Sequence, residues 1–195
     1  MTDSDVTDAA DAVRNGELVV YPTETVYGLG ADALDADAVE RVFDAKGRSR
    51  DQPVSLAVPD AQAALAYTAP TARERRFMHE FLPGPVTVLA DRTEAVPDVL
   101  TAGRDRVGIR VPDHDLALEL LDAVAPITAT SANVSGEGSV RELDELGEQV
   151  REAAAVVLDG GRTPGTESTV VDVEAGEIVR RGAMADEIEA WLADQ

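Results

Sequence analysis

Hydrophobic positions recur along the chain with two periods, and the switches between them mark the elements. Val6, Ala9, Ala10 and Val13 fall at helical spacing within residues 3–14, and Asn15-Gly16 supplies a stop. Leu18-Val19-Val20-Tyr21 is a short buried-strand pattern broken by Pro22. Ala38, Val39, Val42 and Phe43 share one face of a helix over 35–45, and residues 54–58 read as a strand. Thr71 with Glu74 forms a capping box that opens a helix to about Phe81. Pro83-Gly84-Pro85 then turns the chain into the run Val86-Thr87-Val88.

The second half repeats this alternation. Residues 107–111 read as a strand, 115–123 as a helix, and 127–130 as a strand running into the polar loop 131–138. Ser139 with Glu142 forms a second capping box, predicting a helix to about Ala153. Strands are expected at 156–158, 168–173 and 177–180, the last two as a hairpin turning at Ala175-Gly176, and a final helix at 185–193. Helices and strands interleave, yet several strands follow each other directly. The expected fold is therefore α/β with an open, mixed sheet and flanking helices, formed by residues 1–195 as a single domain.

Composition narrows the chemistry. No apolar run approaches the roughly 18 residues that a membrane helix needs, and the acidic N-terminus lacks a signal peptide's basic and apolar regions, so a cytoplasmic location is expected. The absence of cysteine excludes disulfides, thiolate zinc sites and cysteine nucleophiles. His79 and His114 lie far apart in polar contexts and read as surface or helix-end residues. No protein-ligated metal is expected.

Charge changes the picture more. The formal net charge is −21, and of 17 basic residues only Lys46 is a lysine. A dense carboxylate surface almost without lysine suits a salt-rich cytoplasm, where screening relieves self-repulsion, and points to a halophile. It argues against an RNA-binding surface, which needs many cations against phosphates. It also makes each local cluster of basic residues conspicuous.

Five polar segments follow strands or helices. The first, Tyr21-Pro22-Thr23-Glu24-Thr25-Val26-Tyr27-Gly28-Leu29-Gly30, offers hydroxyls and close backbone approach; equally, it reads as a turn rich in Thr and Gly. Its Gly28-Leu29-Gly30 lacks the third glycine of a dinucleotide fingerprint and by itself reads as a tight turn, and no P-loop signature is present. The second, Lys46-Gly47-Arg48-Ser49-Arg50, places cations at a helix end, where they suit the helix dipole or a polyphosphate. The third is Thr130-Ser131-Ala132-Asn133-Val134-Ser135-Gly136, an Asx or Ser turn or a ligand loop in which Ser131 and Asn133 meet one ligand. In the fourth, Arg106 to Pro112, Arg110 shares a strand face with Gly108. The fifth is Glu167-Ser168-Thr169-Val170, followed after the hairpin by Arg180-Arg181.

Taken in order, these segments resemble the threonylcarbamoyl-AMP synthase family, whose members are also called YrdC-like or TsaC-like. The resemblance covers about residues 17–183. It is carried by the 21–30 block, Lys46-Gly47-Arg48, Leu82-Pro83-Gly84-Pro85-Val86-Thr87, Gly108-Ile109-Arg110-Val111-Pro112, Ser131 to Gly136, Ser168-Thr169-Val170 and Arg180-Arg181-Gly182. It implies an open twisted sheet whose concave face holds ATP and L-threonine. It also implies the conversion of threonine, bicarbonate and ATP to threonylcarbamoyl-AMP and pyrophosphate, Mg2+ being carried with ATP. The product then feeds tRNA threonylcarbamoyladenosine modification through partner proteins.

Lys46, Arg48 and Arg50 are assigned to the phosphates because the chain keeps its one lysine beside two arginines; the resemblance implies that Ser131, Asn133 and Arg180 hold the nucleotide and that Thr23, Tyr27, Arg110 and Ser168 bind threonine. No general base is implied, and Glu24 reads as a solvated turn carboxylate. Many relatives carry a proline after Lys-x-Arg and a histidine past the following Pro-Leu; here those sites are Ser49 and Ala57, and Pro-Leu reads Pro53-Val54. Longer relatives carry an extra C-terminal domain, so the chain resembles the short form without one. A non-catalytic RNA-binding or ribosome-maturation module of the same fold is the alternative. A carbamoyl-adenylate enzyme of hydrogenase maturation would need zinc fingers, which the chain lacks the cysteines to build.

Overall fold

The computed structural model describes residues 3–194. Seven α-helices are present among them: α1 (Asp3–Arg14), α2 (Ala36–Lys46), α3 (Ala72–Phe81), α4 (Asp98–Thr101), α5 (Asp115–Ala123), α6 (Glu148–Ala153) and α7 (Ala185–Ala193). The strands are β1 (Leu18–Tyr21), β2 (Gly28–Gly30), β3 (Ser55–Ala57), β4 (Val86–Asp91), β5 (Arg106–Arg110), β6 (Ile127–Ser131), β7 (Ala154–Val157), β8 (Thr169–Asp172) and β9 (Glu177–Arg180). They form one open sheet in the order β7-β1-β2-β6-β3-β5-β4-β8-β9. The sheet is mixed: β1–β7, β3–β5 and β4–β8 pair parallel, and the other neighbours antiparallel.

Local chemistry sets the element ends. Asp35 caps α2 by accepting from the Asp37 amide at 2.9 Å, and Gly47 ends it in the left-handed conformation at φ 56°. The capping box of α3 is complete: Thr71 Oγ1 accepts from the Glu74 amide at 3.1 Å, and Glu74 accepts from the Thr71 amide at 2.8 Å.

The second predicted capping box does not form. Ser139 to Glu142 stay outside any helix, Leu143–Glu145 make one 3-10 turn, and α6 starts only after Gly147. Glu145 instead accepts from the Arg141 amide at 2.8 Å, and Ser139 Oγ reaches Glu167 at 3.4 Å. Gly28-Leu29-Gly30 is likewise strand β2, not a tight turn. It lies under the Tyr21 ring, where a Cβ on Gly28 would come within 2.8 Å of ring carbon, so glycine serves close packing. The 3-10 turn Ala63–Ala66 and the short helix α4 have no counterpart in the sequence reading.

Side-chain alternation sorts the strands. Leu56, Val86, Val88, Ala90, Val107, Ile109 and Val171 enter one core with Phe43, Phe77, Met78, Phe81 and Ile188 of the helices. A second core joins α1 and α5 to Val19, Tyr21, Ala57 and Ile127, and a third joins α2 and α6 to Val20, Tyr27 and Leu29. The intervening positions Ser55, Thr87, Gly108, Arg110 and Val170 therefore face the other way, onto a cleft.

Candidate functional site

The cleft holds about 470 Å3 and is walled by the Thr23–Gly28 segment, residues 51–55, β4, β5, the end of β6, and the Glu167–Val170 and Val179–Arg180 stretches. Five arginines line it, Arg48, Arg104, Arg106, Arg110 and Arg180, against two carboxylates, Asp51 and Glu167. Three of the five are paired with carboxylates, Arg106 with Glu74 and Asp172, Arg110 with Glu24 and Arg180 with Glu167, so Arg48 and Arg104 are the cleft cations without a carboxylate partner among the described residues. Gly108 forms part of the floor: a Cβ there would meet Ser55 Oγ at 2.3 Å and Thr87 Cγ2 at 2.9 Å.

Each arginine is held by defined partners. Arg48 Nε and Nη2 donate to the Gln52 and Pro53 carbonyls, each at 3.0 Å, and burial together with nearby Arg180 pushes its pKa down. Arg180 Nη2 donates to Ser168 O at 2.8 Å and Ser168 Oγ at 2.9 Å, and Ser168 Oγ lies 3.2 Å from Thr87 Oγ1. Arg106 bridges Asp172 at 2.5 Å, the Leu89 carbonyl at 2.7 Å and the buried Glu74 carboxylate. Arg104 donates to the Asp51 carbonyl at 3.3 Å.

Arg110 is 6% exposed and spends its terminal nitrogens on the Gly84 carbonyl, the Val86 carbonyl at 3.2 Å, Glu24 Oε1 at 2.6 Å and Thr25 Oγ1 at 3.3 Å. Burial pushes its pKa down, and the Glu24 carboxylate pulls it back up. Glu24 is thus an ion-pair partner rather than a solvated turn carboxylate, its side chain only 16% exposed.

Of the residues expected at a ligand, Thr23, Arg48, Arg110, Ser131, Ser168 and Arg180 line this one cleft. Thr23 Oγ1 also ties its own turn, donating to Val26 O at 2.6 Å and lying 2.8 Å from Thr25 Oγ1. Four others sit elsewhere. Lys46 is 1% exposed and off the cleft wall; its ammonium donates to the Ser131 carbonyl and, at 2.6 Å, to the Asn133 carbonyl. Burial, with a contribution from Arg48, lowers its pKa to about 8. Asn133 turns its amide into its own loop, donating to Val134 O at 2.8 Å and Glu137 O at 2.9 Å, while its Oδ1 is buried without a partner.

Tyr27 is buried, and its hydroxyl donates to Gly161 O at 2.7 Å and accepts from the Gly160 amide at 3.1 Å. Burial raises the phenol pKa. Tyr27 thereby pins the 159–161 loop. Arg50 points away, pairing with Glu40 at 2.8 Å and Asp44 at 2.5 Å over the Phe43 ring. Charge complementarity along α2 holds it there.

Ala57 packs in the second core, His79 lies in the last turn of α3, and His114 begins α5. Among the described residues no three His, Asp or Glu side chains gather as a metal cage, and no helix is long and apolar enough to cross a membrane.

Arg104, Gln52 and Val179 also line the cleft without having been picked out from the sequence. Arg104 and Gln52 lie in loops brought together only by the fold. Val179 lies between Ile178 and Arg180 on edge strand β9, and its 57% exposure beside the cleft is a result of the fold.

Residues 11–182 match the Sua5/YciO/YrdC family, described as telomere recombination. Threonylcarbamoyl-AMP synthase of Pyrococcus abyssi is 43% identical over 169 residues, covering 85% of this chain and 49% of that protein. The synthase of Bacillus subtilis is 39% identical over 173 residues, covering 87% of this chain and 50% of its own length. The chain thus spans about half the length of these curated relatives. The crystal structure of P. abyssi Sua5 complexed with L-threonine superposes with a TM-score of 0.88 at 39% identity, covering 95% of this chain and 56% of that one.

Proposed function

This chain belongs to the Sua5/YciO/YrdC family, and we propose that it catalyses formation of L-threonylcarbamoyladenylate and pyrophosphate from L-threonine, bicarbonate and ATP. The observation that carries this reading is one cleft that gathers Arg48 and Arg104, which have carbonyl partners but no carboxylate, with Arg110 and Arg180, in a chain of net charge −21. The reaction gathers a triphosphate, a carbamate and an amino-acid carboxylate, and a site that joins them must neutralise charge and align the carbamate oxygen with the α-phosphorus. The relative crystallised with L-threonine supports the amino-acid half of the reading.

In this scheme Arg48 and Arg180 meet the phosphates and stabilise the departing pyrophosphate, with ATP entering as its magnesium complex. Asp51 and Glu167 are the cleft carboxylates, so the metal is held by phosphate oxygens rather than by a protein cage. Ser131 holds the nucleotide. Lys46 and Asn133 serve it by fixing the loop that carries Ser131, and the Lys46 ammonium adds a positive charge beside that residue. Arg110, Thr23 and Ser168 take the threonine, while Tyr27 acts through the loop it anchors. Arg50 joins the phosphates only by leaving Glu40 and Asp44. The adenylate then passes to proteins that modify tRNA in the cytoplasm.

Incubating the protein with ATP, bicarbonate and either threonine or serine, at low and high salt, tests this by mass spectrometry. The expected outcome is a threonine-dependent adenylate with matching pyrophosphate. Absence of both at every salt concentration overturns the reading.

A further inference from the structure

The ion pair of Glu24 with Arg110, the latter on the cleft wall, has an unusual balance of donors and acceptors. All four terminal N–H groups of Arg110 are committed, to two carbonyls, the Thr25 hydroxyl and Glu24 Oε1. The other Glu24 oxygen, Oε2, is buried and accepts from no group among the described residues. A carboxylate oxygen kept from both water and donors is costly, and such orphans mark places where a ligand completes the set. The residues on either side of Glu24, Thr23 and Thr25, both line the cleft, as does Arg110.

Arg110 has no free terminal proton for an incoming carboxylate, so binding one requires it to release a partner. Glu24 is its one anionic partner, and leaving either member of a buried pair uncompensated is strongly unfavourable. A zwitterion resolves this, because it brings both charges at once. We propose that Glu24 and Arg110 exchange partners when an amino acid binds: its carboxylate replaces Glu24 on the guanidinium, and Glu24 accepts the α-ammonium. Glu24 is then a substrate-binding residue that selects zwitterions over simple hydroxy acids. The inference rests on the threonine reading given above and deepens it.

Threonine and 3-hydroxybutanoate, which keeps the carboxylate and hydroxyl but lacks the amino group, are the probes. Each is titrated into the intact chain and into Glu24→Gln by NMR without ATP, with circular dichroism as the check on folding. The intact chain is expected to bind threonine at least tenfold tighter than 3-hydroxybutanoate. In Glu24→Gln threonine affinity falls about tenfold or more while 3-hydroxybutanoate affinity holds or rises, since Arg110 has lost its charged competitor. Glu24→Asp, which keeps the charge, retains the preference for the zwitterion. Equal losses for both probes in Glu24→Gln show a structural role only and overturn the proposal. If the intact chain binds 3-hydroxybutanoate as tightly as threonine, the partner exchange fails while the threonine reading stands. If it binds neither, both fail.

Discussion

The ammonium of Lys46 donates to the backbone carbonyl of Asn133 at 2.6 Å, so the last residue of α2 holds the loop that follows β6. The same group reaches the Ser131 carbonyl, and Ser135 returns a bond from its amide to the Lys46 carbonyl at 2.8 Å. The chain's single lysine is thus a buried clasp between two segments that its sequence marks for ligand binding. Lysine suits the clasp because three donors on one atom satisfy two carbonyls and leave a proton over.

Replacing that clasp with a shape-matched apolar residue separates its bonds from its bulk. Lys46→Met leaves two carbonyls without their donor, at a cost of about 1–3 kcal/mol in folding stability. Urea denaturation is expected to show that loss, and hydrogen exchange faster opening of residues 131–138. ATP affinity is expected to fall about tenfold.

The lowered Lys46 pKa gives stability and nucleotide affinity opposite pH trends. In the folded protein the ammonium titrates at about 8, and in the unfolded chain near 10.5. Between those values the unfolded state binds more protons, so this group's contribution to stability rises with pH. The neutral amine keeps two N–H donors for its two carbonyls, and the clasp persists while its charge is lost. Nucleotide affinity is expected to fall across the same window. Calorimetric ATP titrations and chemical denaturation on either side of about pH 8 check both directions.

Gly108→Ala probes the cleft floor. Its new methyl would sit 2.3 Å from Ser55 Oγ and 2.9 Å from Thr87 Cγ2, forcing at least one side chain into the cleft. Overpacking of this kind costs about 1–3 kcal/mol. Denaturation should register that loss, together with weaker threonine binding.

The surface charge predicts a salt response. At net −21, self-repulsion destabilises the folded chain at low ionic strength. Thermal midpoints measured across increasing KCl are expected to rise as the Debye length shrinks from about 10 Å at 0.1 M to about 3 Å at 1 M. A flat profile would refute the halophilic reading of the composition.

What the sequence disclosed depended on whether local chemistry decided the outcome. The capping box of α3 depends on side chains within a few residues, and it forms where the sequence places it. The Ser139–Glu142 pattern satisfies the same local rule, yet Ser139 Oγ turns to Glu167, distant in sequence, and the Arg141 amide donates to Glu145. Strand β2 was hidden because its glycines answer to the Tyr21 ring, several residues away in sequence. In the site, alternation along β5 announced Gly108 and Arg110 on one face, whereas Arg50 carried the same charge as Arg48 and turned back to Glu40 and Asp44 on the preceding helix α2. Tyr27 and Asn133 were legible as polar residues in important loops; that they brace those loops from within required the fold.

The central claim is that the arginine-lined cleft receives the nucleotide, and calorimetric titration of magnesium-ATP into the intact chain and Arg48→Ala tests it most directly. Saturable binding by the intact chain is expected, with a loss of about tenfold or more in the variant, the range for a charge-assisted contact. Equal affinity in the two proteins would contradict it.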